Sequence, residues 1–365
     1  MKWGFVSLAT VRTLGSPLRL GSVQEAEDFE QELVDQFALA AIGAGATDRH
    51  VAAERSTIFA FVRFLERPVW TATAADADRF LGHLRRARGQ AASTLESKAG
   101  TLARFYDFVI ARYQGDVHAL TGFVLTQPID EYNKPARTGQ YGSPRVPPVA
   151  EDVEALFVGW RESLPSARKY LPAARDYFAA SLWRRAGLRI NETVMLDIGD
   201  WRAELGAHGK LHVRFGKGSR GRGPKARMVS AIDSVDELME WWLADVRPQF
   251  GADCGDPTAA LLPSERHDPD FGGCLRIHGN ALRDGLAGAV GVWLPDWSGR
   301  LTPHGLRHFC ASSLYQRGMD LKAIQEQLGH EWLSTTTRYI HVHDQHVDQA
   351  WANAHARVSD RLDRR

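Results

Sequence analysis

Apolar residues recur at helical intervals through the first third of the chain, from about residue 23 to residue 130. The segment RHVAAERSTIFAFVRFL places Val51, Ile58, Val62 and Leu65 on one helical face, and STLESKAGTLARFYDFVIARY repeats the pattern. Alternating β-branched residues are almost absent from this region. The pattern predicts an all-helical N-terminal domain.

The pattern breaks at KPARTGQYGSPRVPP, a stretch with four prolines and two glycines. Because this composition extends the chain and interrupts helices, we interpret it as an interdomain linker. We accordingly divide the chain into an N-terminal extension (1–22), a helical domain (23–133), the linker (134–148), a second domain (149–344) and a C-terminal helix (345–365).

The second domain combines helical patterns with one hairpin. Helices are predicted at 150–163 and 171–186, in SVDELMEWWLADV with Trp241 and Trp242 inward, and in succession from about residue 278. Between them, KLHVRFGKG and ARMVSA alternate as two strands around a Gly-rich turn. The expected fold class is mainly α with a small antiparallel β-sheet.

Composition is that of an ordinary folded protein, with 44% apolar and 24% charged residues among 365. No run of 18 apolar residues exists, so we expect no membrane span. The start, MKWGFVSLATVRTLG, is interrupted by Arg12 and does not resemble a signal peptide. Three widely spaced cysteines, Cys254, Cys274 and Cys310, suit a reducing compartment, so we expect a cytoplasmic protein.

The net charge of +1 hides segregated charge. Residues 22–37 carry six acids and no base, whereas residues 209–227 carry seven Lys or Arg and no acid, and residues 80–113 carry six bases against two acids. Two separate basic blocks indicate contact with DNA or RNA. In the helical domain we expect a phosphate-facing surface made of Arg85, Arg86, Arg88, Lys98 and Arg104, with Ser93 and Thr94 as N-capping residues.

Two pairs of residues with a spacing of three lie in the second domain. His304 and Arg307 in TPHGLRHF face the same way on a helix that Thr302 and Pro303 can begin. Arg189 in RRAGLRINETVML lies in an apolar stretch, where Glu192 is a candidate ion-pair partner. An arginine that binds an anionic ligand would show the same pattern.

The segments AGLRINE, FGKGS, HGLRHF, LGH and TTTRY, in this order across residues 186–339, resemble the tyrosine recombinase family, also called phage integrases. The resemblance implies a helical core-binding domain joined to an α+β catalytic domain, which together clamp duplex DNA between two lobes. The catalytic residues that it implies are Arg189, Lys217, His304, Arg307, His330 and Tyr339.

The chemistry of these residue types supports the same interpretation. Two forked guanidiniums, those of Arg189 and Arg307, suit the charge that a pentacoordinate phosphorus concentrates on its oxygens. A tyrosine with a pKa near 10 is a poor nucleophile unless a base takes its proton, and His304 can accept the proton of Tyr339.

The remaining roles follow from the resemblance. Lys217 corresponds to the general acid, but the hairpin GKGSRGRGPKARMV is longer and richer in Arg than expected, so Lys225 remains an alternative. Arg220, Arg222 and Lys225 are expected to hold the DNA backbone. His330 should hydrogen-bond the phosphate, and Glu192 should orient its neighbours.

The expected reaction needs neither metal nor nucleotide. GKGS lacks the preceding glycine of a P-loop, and no acidic cluster suits two-metal phosphoryl transfer. The implied partners are a double-stranded DNA recombination site, three further copies in a tetramer on DNA, and accessory DNA-bending or directionality proteins. The terminal helix is expected to dock on a neighbouring subunit.

Two rival interpretations remain open. A DNA-binding protein without catalysis would keep the basic surfaces but lose the catalytic set, whereas every position of that set is filled here. A metalloprotein would use the histidines of TTTRYIHVHDQHV, namely His341, His343 and His346. On a helix these residues point in different directions, so they could converge only in a loop.

Overall fold

In a computed structural model, the chain forms two compact units, Met1–Gly142 and Ser143–Arg365. The division falls within the predicted linker. The structure describes residues 20–134, 146–216, 225–267, 269, 273–330 and 336. None of the helices among these residues is both long enough and apolar enough to cross a bilayer.

The described residues of the first unit form four α-helices, in agreement with the predicted helical periodicity: α1 Val23–Gly43, α2 Asp48–Leu65, α3 Ala74–Arg86 and α4 Ala92–Thr121. Val51, Ile58 and Leu65 are buried in its core, while Val62 is only partly buried. The capping prediction for α4 was wrong. The helix begins after Ala91, without a side-chain cap, so Ser93 and Thr94 already lie within its first turn.

The described residues of the second unit are mainly helical and include two small sheets. Its helices are α5 Ala150–Ser163, α6 Tyr170–Arg185, α7 Ile190–Val194, α8 Val235–Trp241, α9 Gly279–Trp293, α10 Pro303–Gln316 and α11 Leu321–Leu328. Its strands are β1 Trp201–Arg202, β2 Lys210–Gly216, β3 Lys225–Ser230, β4 Pro263–His267 and β5 Cys274–Arg276. The expected fold class is confirmed.

The larger sheet has the antiparallel order β1-β2-β3 and includes both predicted strands. Leu211 pairs with Val229 and Val213 pairs with Arg227. The three apolar members of these pairs are buried, so this face of the sheet is turned to the core. Arg227 lies on that same face, two positions from Val229, and therefore points inward.

The helix predicted at 234–246 changes type midway. After α8 the chain forms a π-helix at Trp242–Val246. Trp242 is fully buried, stacks on Phe178 at a ring distance of 4.5 Å and donates to the carbonyl of Leu261 at 3.0 Å. Trp241 is only partly buried. Trp242 is therefore the member of the pair that the core holds in place.

Candidate functional site

The first turn of α10 carries His304, one member of a predicted pair. Thr302 accepts a hydrogen bond from the amide of Gly305 at 3.2 Å, and Pro303 occupies the first helical position, as the sequence predicted. His304 is exposed in this turn, with its ring 4.8 Å from that of His308. Helix N-termini favour negative charge, so this end of α10 suits an anionic ligand.

Arg189 is the residue that precedes α7, and Glu192 caps the helix. The carboxylate of Glu192 accepts from the backbone N–H of Arg189 at 2.9 Å and from its Nη1 at 2.6 Å. The pairing expected from the spacing of three is therefore present. Thr193 adds a bond to the carbonyl of Arg189 at 3.1 Å and accepts from the indole of buried Trp183 at 2.9 Å, which fixes α7 to the core.

Arg227 is a member of the site that sequence reasoning missed. Its Nη1 and Nη2 each donate to Glu192 at 2.9 Å, in a two-pronged ion pair. Burial alone would raise the pKa of Glu192, but the hydrogen bonds and charge of Arg227, together with the charge of Arg189, lower it to about 2. The inward position of Arg227 in the alternating strand was the available signal.

Three arginines converge on the C-terminal end of α11, where the last carbonyls of a helix lack intrahelical partners. Arg227 donates to the carbonyl of Gln327 at 3.3 Å, Arg307 to that of Leu328 at 2.6 Å, and Arg189 to that of Gly329 at 3.3 Å. The negative end of the helix dipole favours this gathering of cations. The LGH motif thus organises the arginines through its backbone.

Arg307 is fully buried on the side of α10 that faces α11. Its Nη1 donates to the carbonyl of Gly187, a residue with a positive φ of 66°. A Cβ at position 187 would collide with Leu328 Cδ2 and lie 3.2 Å from the sulfur of Cys310, so a side chain there would strain the backbone and displace Leu328. Contact between Arg307 and a phosphate therefore requires a neighbouring group to move.

His330 links Arg307 to the segment that follows α11. Its Nε2 lies 2.8 Å from Arg307 Nη2 and its Nδ1 lies 3.0 Å from the hydroxyl of Thr336, a buried residue of the TTTRY motif. Because guanidinium groups only donate, Nε2 must accept and Nδ1 must carry the proton. Burial and the charge of Arg307 lower the pKa of His330 to about 3, so the ring is neutral.

The loop after α7 is fixed by a second ion-pair network. Arg276 donates to the carbonyls of Val194 and Leu196 at 2.8 Å each and pairs with Asp197. Arg214 pairs with Asp197 and with Asp200. These bonds hold the chain next to Glu192, and no local sequence pattern predicts them.

The predicted DNA-contacting residues are placed as follows. Arg85, Arg86 and Arg88 are exposed near the end of α3, Lys98 is half-buried on α4, and none has an ion pair with a described residue. Lys225 is exposed at the start of β3. Arg104 is likewise exposed, and its guanidinium pairs with buried Glu54.

Several predicted residues lie outside the described residues: Lys217, Arg220, Arg222, Tyr339, His341, His343 and His346. Among the residues that are described, no three His, Cys, Asp or Glu side chains are grouped closely enough to hold a metal ion. The structure therefore brings together Arg189, Glu192, Arg307 and His330, and exposes His304 on the helix of Arg307.

A sequence model described as the phage integrase family matches residues 162–346, just over half of the chain. Tyrosine recombinase XerC of Herpetosiphon aurantiacus is 28% identical over 317 residues, covering 86% of this chain and 91% of that protein. XerC of Chromohalobacter salexigens is 31% identical over 315 residues, with 85% and 91% covered.

Two solved structures share the fold. The XerH site-specific recombinase, bound to its palindromic difH substrate in a post-cleavage complex, matches with a TM-score of 0.56 and 19% identity, over 91% of this chain and 84% of that one. A dimer of lambda integrase residues 75–356, bound to a COC′ core site, matches with a TM-score of 0.56 and 16% identity, over 85% and 94%.

Proposed function

Since this chain belongs to the phage integrase family and is a site-specific tyrosine recombinase, we propose that it cleaves and rejoins DNA through a 3′-phosphotyrosine intermediate on Tyr339. The observation that carries this proposal is the convergence of Arg189, Arg307 and His330 at the end of α11. Tyr339 follows His330 by nine residues.

The two arginines supply the charge that phosphoryl transfer needs. The two non-bridging oxygens can accept two parallel N–H bonds from a guanidinium, and these bonds strengthen as negative charge grows in the transition state. Glu192 keeps Arg189 oriented, and His330 keeps Arg307 oriented. Because Arg307 is buried against carbonyl groups, binding of DNA must exchange some of its contacts for phosphate contacts.

In the cleavage step the phenolic oxygen of Tyr339 attacks phosphorus, and the bond from phosphorus to the 5′ oxygen breaks. His304 accepts the phenolic proton, and Lys217 donates a proton to the leaving oxygen, with Lys225 as the alternative donor. One phosphoester replaces another, so the step consumes neither ATP nor a metal-activated water. Attack by a second 5′ hydroxyl reverses the chemistry and joins the new strands.

The proposed partner is a double-stranded DNA recombination site. Four copies of the chain are expected to assemble on two such sites, with the C-terminal helix docking on a neighbouring subunit and with accessory DNA-bending or directionality proteins as further partners. Arg85, Arg86, Arg88 and Lys98 of the first unit would contact phosphates. The DNA substrate also favours action in the cytoplasm.

The test is a covalent trap. The purified chain is incubated in EDTA with a nicked suicide duplex that carries its recombination site, and a protein–DNA adduct that survives denaturation is sought. We expect an adduct with the wild-type chain and with Tyr132→Phe, a matched control at an exposed tyrosine of the first unit, but none with Tyr339→Phe.

An adduct from the Tyr339→Phe variant would show that another residue is the nucleophile. An adduct that forms only with added Mg²⁺ would contradict the metal-free step. Elemental analysis of the purified chain addresses the rival interpretation of His341, His343 and His346, because a stoichiometric zinc ion would support a metal site.

A further inference from the structure

Arg227 lies between the Glu192 carboxylate and the end of α11, and the proposed reaction assigns it no role. It is nearly buried, with 11% of its side chain exposed. Its Nη1 and Nη2 bind Glu192, and its Nε donates to the carbonyl of Gln327. A side chain with all its nitrogens directed at the protein is placed to hold other groups.

The Glu192 carboxylate is saturated by its neighbours. It accepts one bond from the backbone of Arg189, one from Arg189 Nη1 and two from Arg227. A carboxylate offers about four lone-pair sites, so no site is left over. The orientation of the Arg189 guanidinium therefore depends on where Arg227 holds the carboxylate.

Strand β3 and helix α11 are joined at this point. Besides the bond from Arg227 to the carbonyl of Gln327, the amide side chain of Gln327 accepts from Ser230 N at 3.1 Å and donates to Ser230 O at 2.9 Å. Gly329 packs so closely that a Cβ there would lie 2.7 Å from both Cδ and Nε of Arg227. Arg227 has little freedom to move.

On the basis of the proposed function, we propose that Arg227 is a positioning residue that holds Arg189 against the scissile phosphate through the shared Glu192 carboxylate. Arg227 itself does not contact DNA in this role. It neutralises and orients Glu192, and Glu192 in turn fixes the fork of Arg189. The contribution of Arg227 to the rate should therefore vanish when Arg189 no longer has a fork to orient.

The test is a double-mutant cycle on single-turnover cleavage of the nicked duplex at saturating protein. Arg227→Lys keeps the charge but cannot form two parallel bonds. We expect the cleavage rate to fall by at least about tenfold, the effect of losing one well-placed charged hydrogen bond. DNA affinity and the melting temperature should stay unchanged. Arg202→Lys, in the same sheet but in an exposed pair with Glu204, is the matched control.

The second arm repeats the substitution in an Arg189→Lys background. If Arg227 acts through Arg189, the double variant should cleave as slowly as Arg189→Lys alone. The proposal is overturned if Arg227→Lys lowers the rate by the same factor in both backgrounds, if it leaves the rate unchanged, or if it weakens DNA affinity in place of the rate.

A folding defect is handled by removing both charges of the pair, because a lone buried carboxylate is more disruptive than none. If Arg227→Lys melts early, Arg227→Met combined with Glu192→Gln is measured instead. If Arg227 acts only through Glu192, this folded double variant should cleave as slowly as Glu192→Gln alone; slower cleavage than that single variant, or wild-type cleavage, overturns the proposal. If even the wild-type chain forms no adduct, the proposed function is wrong. This outcome differs from one in which the wild-type chain cleaves DNA but Arg227 has no positioning role.

Discussion

Arg307 donates to Nε2 of His330 at 2.8 Å, and this bond dictates the protonation of the histidine. A guanidinium cannot accept, so Nε2 keeps its lone pair and the proton resides on Nδ1, which faces Thr336 at 3.0 Å. Protonation of Nε2 would break the bond and place two cations in contact in a buried site. The pair is therefore stable only while the imidazole is neutral.

Stability should accordingly fall in mild acid. The pKa of His330 is about 3 in the folded chain and 6.5 as an unperturbed group, so between these values the unfolded state binds the additional proton. Each pH unit below 6.5 should remove up to about 1.4 kcal/mol of unfolding free energy. The measurement is urea unfolding at pH 7 and 5.5, with His330→Gln as a non-titrating control. Equal pH dependence of the two proteins would contradict the neutral, buried assignment.

Gly329→Ala should reduce cleavage more than its backbone strain explains. The residue has a φ of +65°, and its new methyl group would collide with Arg227. Gly318→Ala is the control, since its φ is +87° and a Cβ there meets nothing within 4 Å. Both variants should lose about 1–2 kcal/mol of stability. In suicide-substrate cleavage only Gly329→Ala should be slow, and equal rates for the two variants would count against the packing of Arg227.

The general acid can be identified with a 5′-bridging sulfur at the scissile phosphate. A thiolate has a conjugate pKa near 8.5 and leaves without a proton, whereas an alkoxide does not. We expect Lys217→Ala to be slow on the oxygen substrate and fast on the sulfur substrate. Lys225→Ala should be affected equally on both substrates. The reverse pattern would assign the role to Lys225.

Arg85 and Arg86 should contribute to the salt dependence of DNA binding. Removing one arginine that binds a phosphate should reduce the slope of log Kd against log salt by about 0.9. We expect this change for Arg85→Ala and Arg86→Ala in anisotropy titrations at several salt concentrations. Arg79→Ala, on the same helix but paired with buried Asp76, should leave the slope unchanged. A slope that stays constant for all three variants would place the phosphate-binding residues elsewhere.

Local patterns in the sequence predicted much of the fold. The helices and the hairpin follow from periods of 3.6 and 2 residues, and the pairing of Arg189 with Glu192 follows from a spacing of three. These features depend on neighbours within one turn or on alternate strand positions. A single sequence is sufficient to show them.

Contacts between distant residues could not be predicted in the same way. Arg227 is 35 residues from Glu192, and Arg104 is 50 residues from Glu54. A long-range ion pair imposes no period on the sequence, so neither partner could be identified from the pattern around Arg227 or Arg104. The full burial of Arg307 likewise depends on how α10 packs on α11, which the HGLRHF motif does not specify.

Gly187 illustrates how the cluster of buried arginines constrains a residue that has no side chain. Its carbonyl accepts a hydrogen bond from Arg307, while Leu328 and Cys310 lie close to the position that a Cβ would occupy. In a saturation mutagenesis library scored for recombination in cells, position 187 should be depleted of every replacement, alanine included. Position 187 would then tolerate substitution as poorly as the position of the nucleophile does.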